Sequence, residues 1–133
     1  MIACPPRRTP ESTASPPFAT VITGAARLML AILERCMTDL GGTWAFCDTD
    51  SMAIVATRDG GLVPCPGGSL DGPEGPAVLA LSFDQVDDFR ERINALNPYN
   101  GEVVPDILKL EAQSWCYSIS AKRYALFEFR DDA

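Results

Sequence analysis

The chain has 133 residues, of which 47% are hydrophobic and 22% charged, which suits a single domain with a packed core. Its net charge of −7 argues against a protein that holds nucleic acid by bulk electrostatics alone. Five scattered cysteines without a C-x-x-C pair, and the absence of histidine, argue against a zinc site.

Residues 1–17 are rich in proline, serine and threonine, a composition that predicts a flexible, disordered tail. The tail lacks the apolar run of a signal peptide, and nowhere do about 18 consecutive apolar residues predict a membrane span. Cys36 and Cys47 lie in apolar periodic runs, where a free thiol behaves as a small hydrophobe. We therefore predict a soluble, cytoplasmic protein with reduced core cysteines and no contact with a membrane.

The first helix is predicted from the apolar pattern that begins at Thr20. Apolar residues recur at three- and four-residue steps as far as Leu40, and the pair Gly41-Gly42 supplies a stop. The pattern indicates a helix of about twenty residues with a broad apolar face.

A β-hairpin is predicted next. Residues 43–47 and 52–57 are short runs of apolar and β-favouring residues, and the sequence D-T-D-S separates them. The following segment, 58–76, holds six glycines and four prolines, so we expect a mobile surface loop or insertion there.

The second half of the chain predicts a helix followed by strands. Ser82 with Gln85 three residues later forms a capping-box pattern, and the apolar periodicity that follows ends at Asn97-Pro98. Residues 106–129 alternate in polarity, which predicts two or three antiparallel strands. The order of elements predicts an α+β domain over residues 18–133, with two helices packed on one face of an antiparallel sheet.

Two aspartates at the predicted hairpin raise the question of function. In an extended strand residues 46, 48 and 50 point the same way, so Phe46 would enter the core while Asp48 and Asp50 emerge near the tip. Two close carboxylates repel each other unless a cation lies beside them, and Mg²⁺ takes one or two protein carboxylates together with phosphate oxygens. The pair therefore points to a metal site for phosphoryl chemistry, although Asp and Ser are also common as plain turn residues.

Two families with similar aspartate patterns fit less well. An EF-hand loop needs a further acid or amide and then glycine where this chain has Met52 and Ala53. A haloacid-dehalogenase-like phosphatase needs a lysine followed by an acidic pair, but here Asp87 and Asp88 precede Lys109.

The stretch F-C-D-T-D-S resembles the Y-x-D-T-D-S hairpin of family B DNA polymerases, with Phe46 in place of the aromatic residue. The preceding helix resembles the long palm helix of that family. The stretch I-S-A-K-R-Y resembles its K-K-x-Y strand, carried here by Lys122 and Tyr124, with Ala121 in place of the first lysine. The three features occur in the order and rough spacing of the family, over about residues 18–129, so the resemblance implies a palm-like fold.

The resemblance also implies roles for four residues. Asp50 would be the main carboxylate bridging two Mg²⁺ (or Mn²⁺) ions, with Asp48 in support, for nucleotidyl transfer to a primer. Lys122 would meet a backbone phosphate or a base edge, and Tyr124 would pack beside the sugar-phosphate chain. The implied partners are primer-template DNA, a deoxynucleoside triphosphate and, for a fragment of this length, a complementing polymerase chain.

Two other motifs of the family do not occur in the chain: the D-x-x-S-L-Y-P-S motif with the second metal-binding aspartate, and the fingers motif K-x-x-x-N-S-x-Y-G. We therefore expect the chain not to polymerise DNA alone. A non-catalytic acidic α+β remnant, or a module that binds a protein partner, stays open as the alternative. Lys122 and Arg123 would then be solvated charges on an edge strand.

Overall fold

The computed structural model describes residues 16–120 and 122–128, so residues 1–15 of the predicted tail lie outside the described part. Within these described residues, two helices and eight strands follow one another: α1 (Pro16–Asp39), β1 (Trp44–Asp48), β2 (Ser51–Ile54), β3 (Ala56–Thr57), β4 (Asp59–Pro64), β5 (Leu70–Gly72), β6 (Gly75–Ser82), α2 (Phe83–Asn94), β7 (Trp115–Ser120) and β8 (Arg123–Phe127). The predicted α+β class is confirmed.

Helix α1 confirms the first predicted helix but begins earlier, at Pro16 rather than at Thr20. Proline suits the first turn of a helix because its missing N–H would have no partner there. The helix ends at Asp39, and Gly41 follows with a φ of 75°. This left-handed backbone is the conformation that glycine adopts readily at a helix C-terminus.

Only the last part of α1 packs against the rest of the described chain. Leu33 and Met37 are buried, whereas Phe18 and Ile22 are 68% and 70% exposed. The apolar face predicted from the sequence is thus mostly uncovered. By length and composition, residues Pro17–Asp39 are also apolar enough to cross a membrane, a test that signal sequences and core helices of soluble proteins pass too.

Helix α2 confirms the second predicted helix together with its capping box. The Gln85 backbone N–H donates to the Ser82 hydroxyl, and the Ser82 N–H donates to the Gln85 side-chain oxygen. Each bond supplies a partner at a helix end that would otherwise lack one. Phe89 and Ile93 form the buried side of this helix.

The segment 58–76 is not a loop, and this prediction is wrong. Strand β4 and the short β5 lie within it, and both pair antiparallel with β6, a strand that the sequence reading did not assign. Glycines supply left-handed backbone in this segment, with φ of 72° at Gly60 within β4 and 81° at Gly67 in the turn between β4 and β5. Composition alone indicated turns, but pairing with the apolar β6 holds the segment in strands.

The central sheet is mixed rather than antiparallel throughout, which corrects a second prediction. Strand β3 pairs with β6 in parallel, with Ala56 beside Leu81. Val55, between β2 and β3, donates its N–H to the Thr43 carbonyl at 2.9 Å and accepts the Leu81 N–H at 3.0 Å. These two bonds connect the β1–β2 hairpin to the sheet that contains β6.

The core lies where both helices meet β6. Its buried members come from α1, β6 and α2, and they form one cluster: Leu33, Met37, Leu81, Phe89 and Ile93. Leu81 is 1% exposed. The hairpin contributes Met52 and Ile54 to the rim of the same cluster. Packing on a common core therefore fixes the hairpin relative to the helices.

Strands β7 and β8 form a separate two-stranded antiparallel ribbon. They confirm two of the two or three strands predicted over residues 106–129, whereas residues 106–114 form no strand. Asn94 holds part of that stretch against α2. Its side-chain oxygen accepts from the N–H groups of Ile107 and Leu108, and its amide donates to the Leu108 carbonyl.

Candidate functional site at the hairpin tip

The D-T-D-S sequence forms the tip of the β1–β2 hairpin, as predicted. Asp48 pairs with Ser51, so Thr49 and Asp50 make a two-residue loop. Thr49 has a φ of 51°, the left-handed backbone that a tight hairpin loop requires. The Asp48 carbonyl accepts from the Asp50 N–H at 2.7 Å and from the Ser51 hydroxyl at 3.0 Å. The loop is therefore fixed by its own hydrogen bonds.

The alternation of side chains along β1 does not extend to Asp50. Asp48 is the last residue of β1, but Asp50 lies in the loop, where side chains no longer alternate between faces. Phe46 is half-buried rather than a core residue, and the register of β1 shifts between Trp44 and Phe46. The two carboxylates thus flank Thr49 at one tip, on a strand end and in a turn respectively.

The two carboxylates at the tip differ in exposure and in their contacts. Asp50 is exposed and Asp48 half-buried, and none of the ion pairs formed by the described residues includes either of them. The Thr49 hydroxyl donates to a carboxylate oxygen of Asp48 at 3.3 Å. Two oxygen-bearing side chains are what Mg²⁺ commonly takes from a protein. Over residues 16–120 and 122–128, however, no group of three acidic, cysteine or histidine side chains is placed to hold a metal.

Tyr124 joins the ribbon to this hairpin. Its ring stacks on the ring of Phe46, with centroids 3.8 Å apart and planes 19° apart. Lys122 lies in the turn before β8, with a φ of 61°, and is exposed. Tyr124 of the K-x-Y sequence therefore contacts Phe46, two residues before the D-T-D-S sequence, although the two belong to different sheets.

The other aromatic residues of the ribbon are exposed. Trp115 is 62% and Phe127 41% exposed. They pair across the ribbon, so they share one face, whereas Tyr124 pairs with Ser118 on the other face. The face with Tyr124 turns toward the hairpin, and we call the opposite face the outer face of the ribbon.

Glu34 of α1 is an acid near the hairpin that no sequence motif indicates. Burial raises the pKa of the Cys47 thiol above its ordinary value, and the negative charge of Glu34 raises it further. Cys47 alternates with Asp48 along β1, so the thiol points away from the face of Asp48. Glu34 and Cys47 are brought close by tertiary packing, so no local sequence pattern predicts their proximity.

The cysteines differ from the prediction in one respect. The four in the described part, Cys36, Cys47, Cys65 and Cys116, are free thiols. Cys36 packs against the core as predicted, but Cys47 is exposed.

No family profile, curated protein or solved structure matches the chain.

Proposed function

We propose that the chain is a palm-subdomain fragment of a family B-like DNA-directed DNA polymerase, inactive alone. The observation that supports this most is the stacking of Tyr124 on Phe46 at 3.8 Å. The two sequences that resemble polymerase motifs are far apart in the chain, and this contact brings them together. A chance likeness of two short sequences would not require them to touch.

In this proposal Asp50 and Asp48 supply carboxylate oxygens to Mg²⁺ or Mn²⁺. The ion, when bound, neutralises charge on the phosphates and helps activate the primer 3′-hydroxyl. Lys122 offers a positive charge to a DNA phosphate from the tip of the ribbon, and Tyr124 holds the ribbon against the hairpin. The primer-template and the nucleotide are the substrates of the completed enzyme.

The proposed fragment requires a complementing polymerase chain for catalysis. Two carboxylates at one hairpin tip cannot position two ions and a triphosphate, because the opposing aspartate and the fingers lysine belong to motifs that do not occur here. The exposed apolar residues of α1, such as Phe18, Ile22 and Leu28, would be covered by the complementing polymerase chain. Catalysis then belongs to the assembled pair.

The same exposed face supports a second candidate function. A non-catalytic α+β remnant that binds a protein partner would also leave α1 uncovered until the partner binds. In that case the carboxylates at the hairpin tip would be ordinary turn residues with no metal affinity.

Split complementation separates the two candidates. The chain is mixed with a family B polymerase fragment that carries the upstream aspartate and fingers motifs but lacks its own D-T-D-S hairpin. We expect Mg²⁺-dependent primer extension that is lost with Asp50→Asn. The matched control Asp59→Asn removes an exposed acid of β4 and should leave extension unchanged. An inactive mixture, when the same fragment works with its own hairpin segment, would favour the remnant.

The DNA sequence upstream of Met1 provides a cheaper test. A reading frame that continues upstream and encodes both missing motifs would support a polymerase. A frame that runs upstream into an unrelated domain would count against it.

A further inference from the structure

The outer face of the β7–β8 ribbon carries exposed rings at regular positions. Trp115 and Tyr117 are two residues apart on β7, so they lie on one face about 6.7 Å apart along the strand. They are 62% and 64% exposed. Tyr117 lies opposite Ala125, whose methyl group is too small to cover the tyrosine ring. Phe127 lies opposite Trp115 and extends the aromatic surface onto β8.

The ribbon also differs in charge from the chain as a whole. Residues 113–127 contain Lys122 and Arg123 and no acidic residue, although the chain has a net charge of −7. Alternation along β8 places Arg123 on the same face as Ala125 and Phe127. A positive end and a row of aromatic rings thus lie on one surface, and acids begin only outside it, at Glu111 and Glu128.

We propose that this outer face binds single-stranded nucleic acid. Bases would stack on Trp115 and Tyr117, and Lys122 and Arg123 would each meet a backbone phosphate. Aromatic platforms beside basic side chains are the usual means of binding unpaired strands without sequence preference, because every base has a flat face that can stack. A duplex buries its bases in its own stack, so it cannot use these rings.

The local charge of this surface favours a nucleic acid as its occupant. Residues 113–127 carry two positive charges and no negative one, so the ribbon is complementary to a polyanion although the whole chain is acidic. The outer face is also separate from the carboxylates, since Tyr124 faces the hairpin from the other side of the ribbon. The inference therefore does not depend on metal binding at the hairpin tip.

Fluorescence anisotropy with a labelled oligothymidylate at low salt tests the proposal. We expect Tyr117→Ala to weaken binding about fivefold or more, as loss of one stacked base would. The matched control is Tyr99→Ala, since Tyr99 is also 64% exposed but lies outside the ribbon. Arg123→Gln should weaken binding and flatten its salt dependence, whereas Arg58→Gln should do neither. Two phosphate contacts predict a slope of log K against log salt of about −1.4.

Tryptophan fluorescence gives a second readout that a purely structural effect would not produce. The chain has two tryptophans, so a Trp44→Phe variant leaves Trp115 as the only one. Stacking of a base on Trp115 should quench its emission as oligothymidylate is added. Parallel titrations with oligouridylate distinguish DNA from RNA, and a duplex of equal length should bind more weakly than either.

Several outcomes would overturn the proposal. They are absence of binding to any single strand, equal losses in the Tyr117 and Tyr99 variants, or preference for the duplex. Self-association in sedimentation that disappears with Tyr117→Ala would make the outer face a protein interface instead. The double variant Asp48→Asn, Asp50→Asn should bind the oligonucleotide at least as tightly as the wild type does. Failure of the proposed metal site is therefore distinguishable from failure of nucleic-acid binding at the outer face.

Discussion

The ring of Tyr124 lies 3.8 Å from the ring of Phe46, centroid to centroid, and this stack joins a ribbon to a hairpin of another sheet. Near-parallel rings in contact contribute about 0.5–1.5 kcal/mol beyond the burial of their area. The contact that holds together the two sequences resembling polymerase motifs should therefore make a measurable contribution to the free energy of unfolding.

A double-mutant cycle on Phe46→Ala and Tyr124→Ala should give a coupling free energy of about 0.5–1.5 kcal/mol in urea unfolding. Tyr124→Phe is the control, because it keeps the ring and should retain the coupling. Additive effects of the two alanine substitutions would mean that the rings do not interact in solution.

The turn between α1 and β1 packs directly on the core. A Cβ added at Gly42 would lie 2.7 Å from Cγ of Leu81, a residue with 1% exposure that has no room to move. Gly42→Ala should lower the free energy of unfolding by about 1–3 kcal/mol in chemical denaturation. At Gly24, within α1, an added Cβ meets nothing within 4 Å. Gly24→Ala should therefore stabilise the protein by about 0.5–1 kcal/mol, and destabilisation there would contradict the exposed placement of α1.

Asn94 fixes the segment after α2 through three hydrogen bonds, of 2.9 Å to the Leu108 carbonyl and 3.0 and 2.8 Å from the N–H groups of Ile107 and Leu108. Asn94→Ala leaves these part-buried groups without partners, so it should cost about 1–3 kcal/mol. Hydrogen exchange at both amides should accelerate. The control Asn100→Ala removes one exposed bond to the Glu102 N–H and should cost about 0.5 kcal/mol or less.

The thiol of Cys47 should alkylate faster when the charge of Glu34 is removed. Burial and that charge both raise the pKa of Cys47, so Glu34→Gln lowers the pKa and increases the thiolate fraction at pH 8. Burial alone raises the pKa of Cys116, whose rate should not change and so provides an internal control. Mass spectrometry of iodoacetamide-treated protein measures both rates, and equal acceleration at the two sites would contradict the local effect.

The same shift has a consequence for stability. When the pKa of a thiol is higher in the folded than in the unfolded state, folding stabilises the neutral thiol relative to the thiolate. Its stabilisation is fully present below the unfolded pKa and is lost as pH rises through the folded pKa. Alkaline unfolding should therefore begin at slightly lower pH in the wild type than in a Cys47→Ser variant, and circular dichroism followed against pH measures the difference.

Elements with a strong local signal were predictable from the sequence. The apolar period of α1, the capping box of Ser82 and Gln85, and the D-T-D-S turn each depend on neighbours within a few residues. Strands β4 and β5 were not, because their glycines and prolines indicate turns, and only pairing with β6 makes them strands. The exposure of α1 could not be predicted either, since its apolar period is that of a buried helix.

The sequence offers Asp48, Asp50, Lys122 and Tyr124 as candidate site residues, and their roles stay predictions. It does not offer the contact of Tyr124 with Phe46, because that contact depends on how two sheets pack. Likewise, the exposure of Trp115 could not be inferred, because an alternating strand looks the same whether or not a layer covers it.

Binding of Mn²⁺, followed by electron paramagnetic resonance, tests the central claim most directly. We predict one weak Mn²⁺ site in the wild-type chain. The site should be absent from the double variant Asp48→Asn, Asp50→Asn. It should be present in the charge-matched double variant Asp59→Asn, Asp71→Asn, which alters two exposed acids of β4 and β5. Identical titration curves for the wild type and the Asp48, Asp50 variant would contradict a metal site at the hairpin tip.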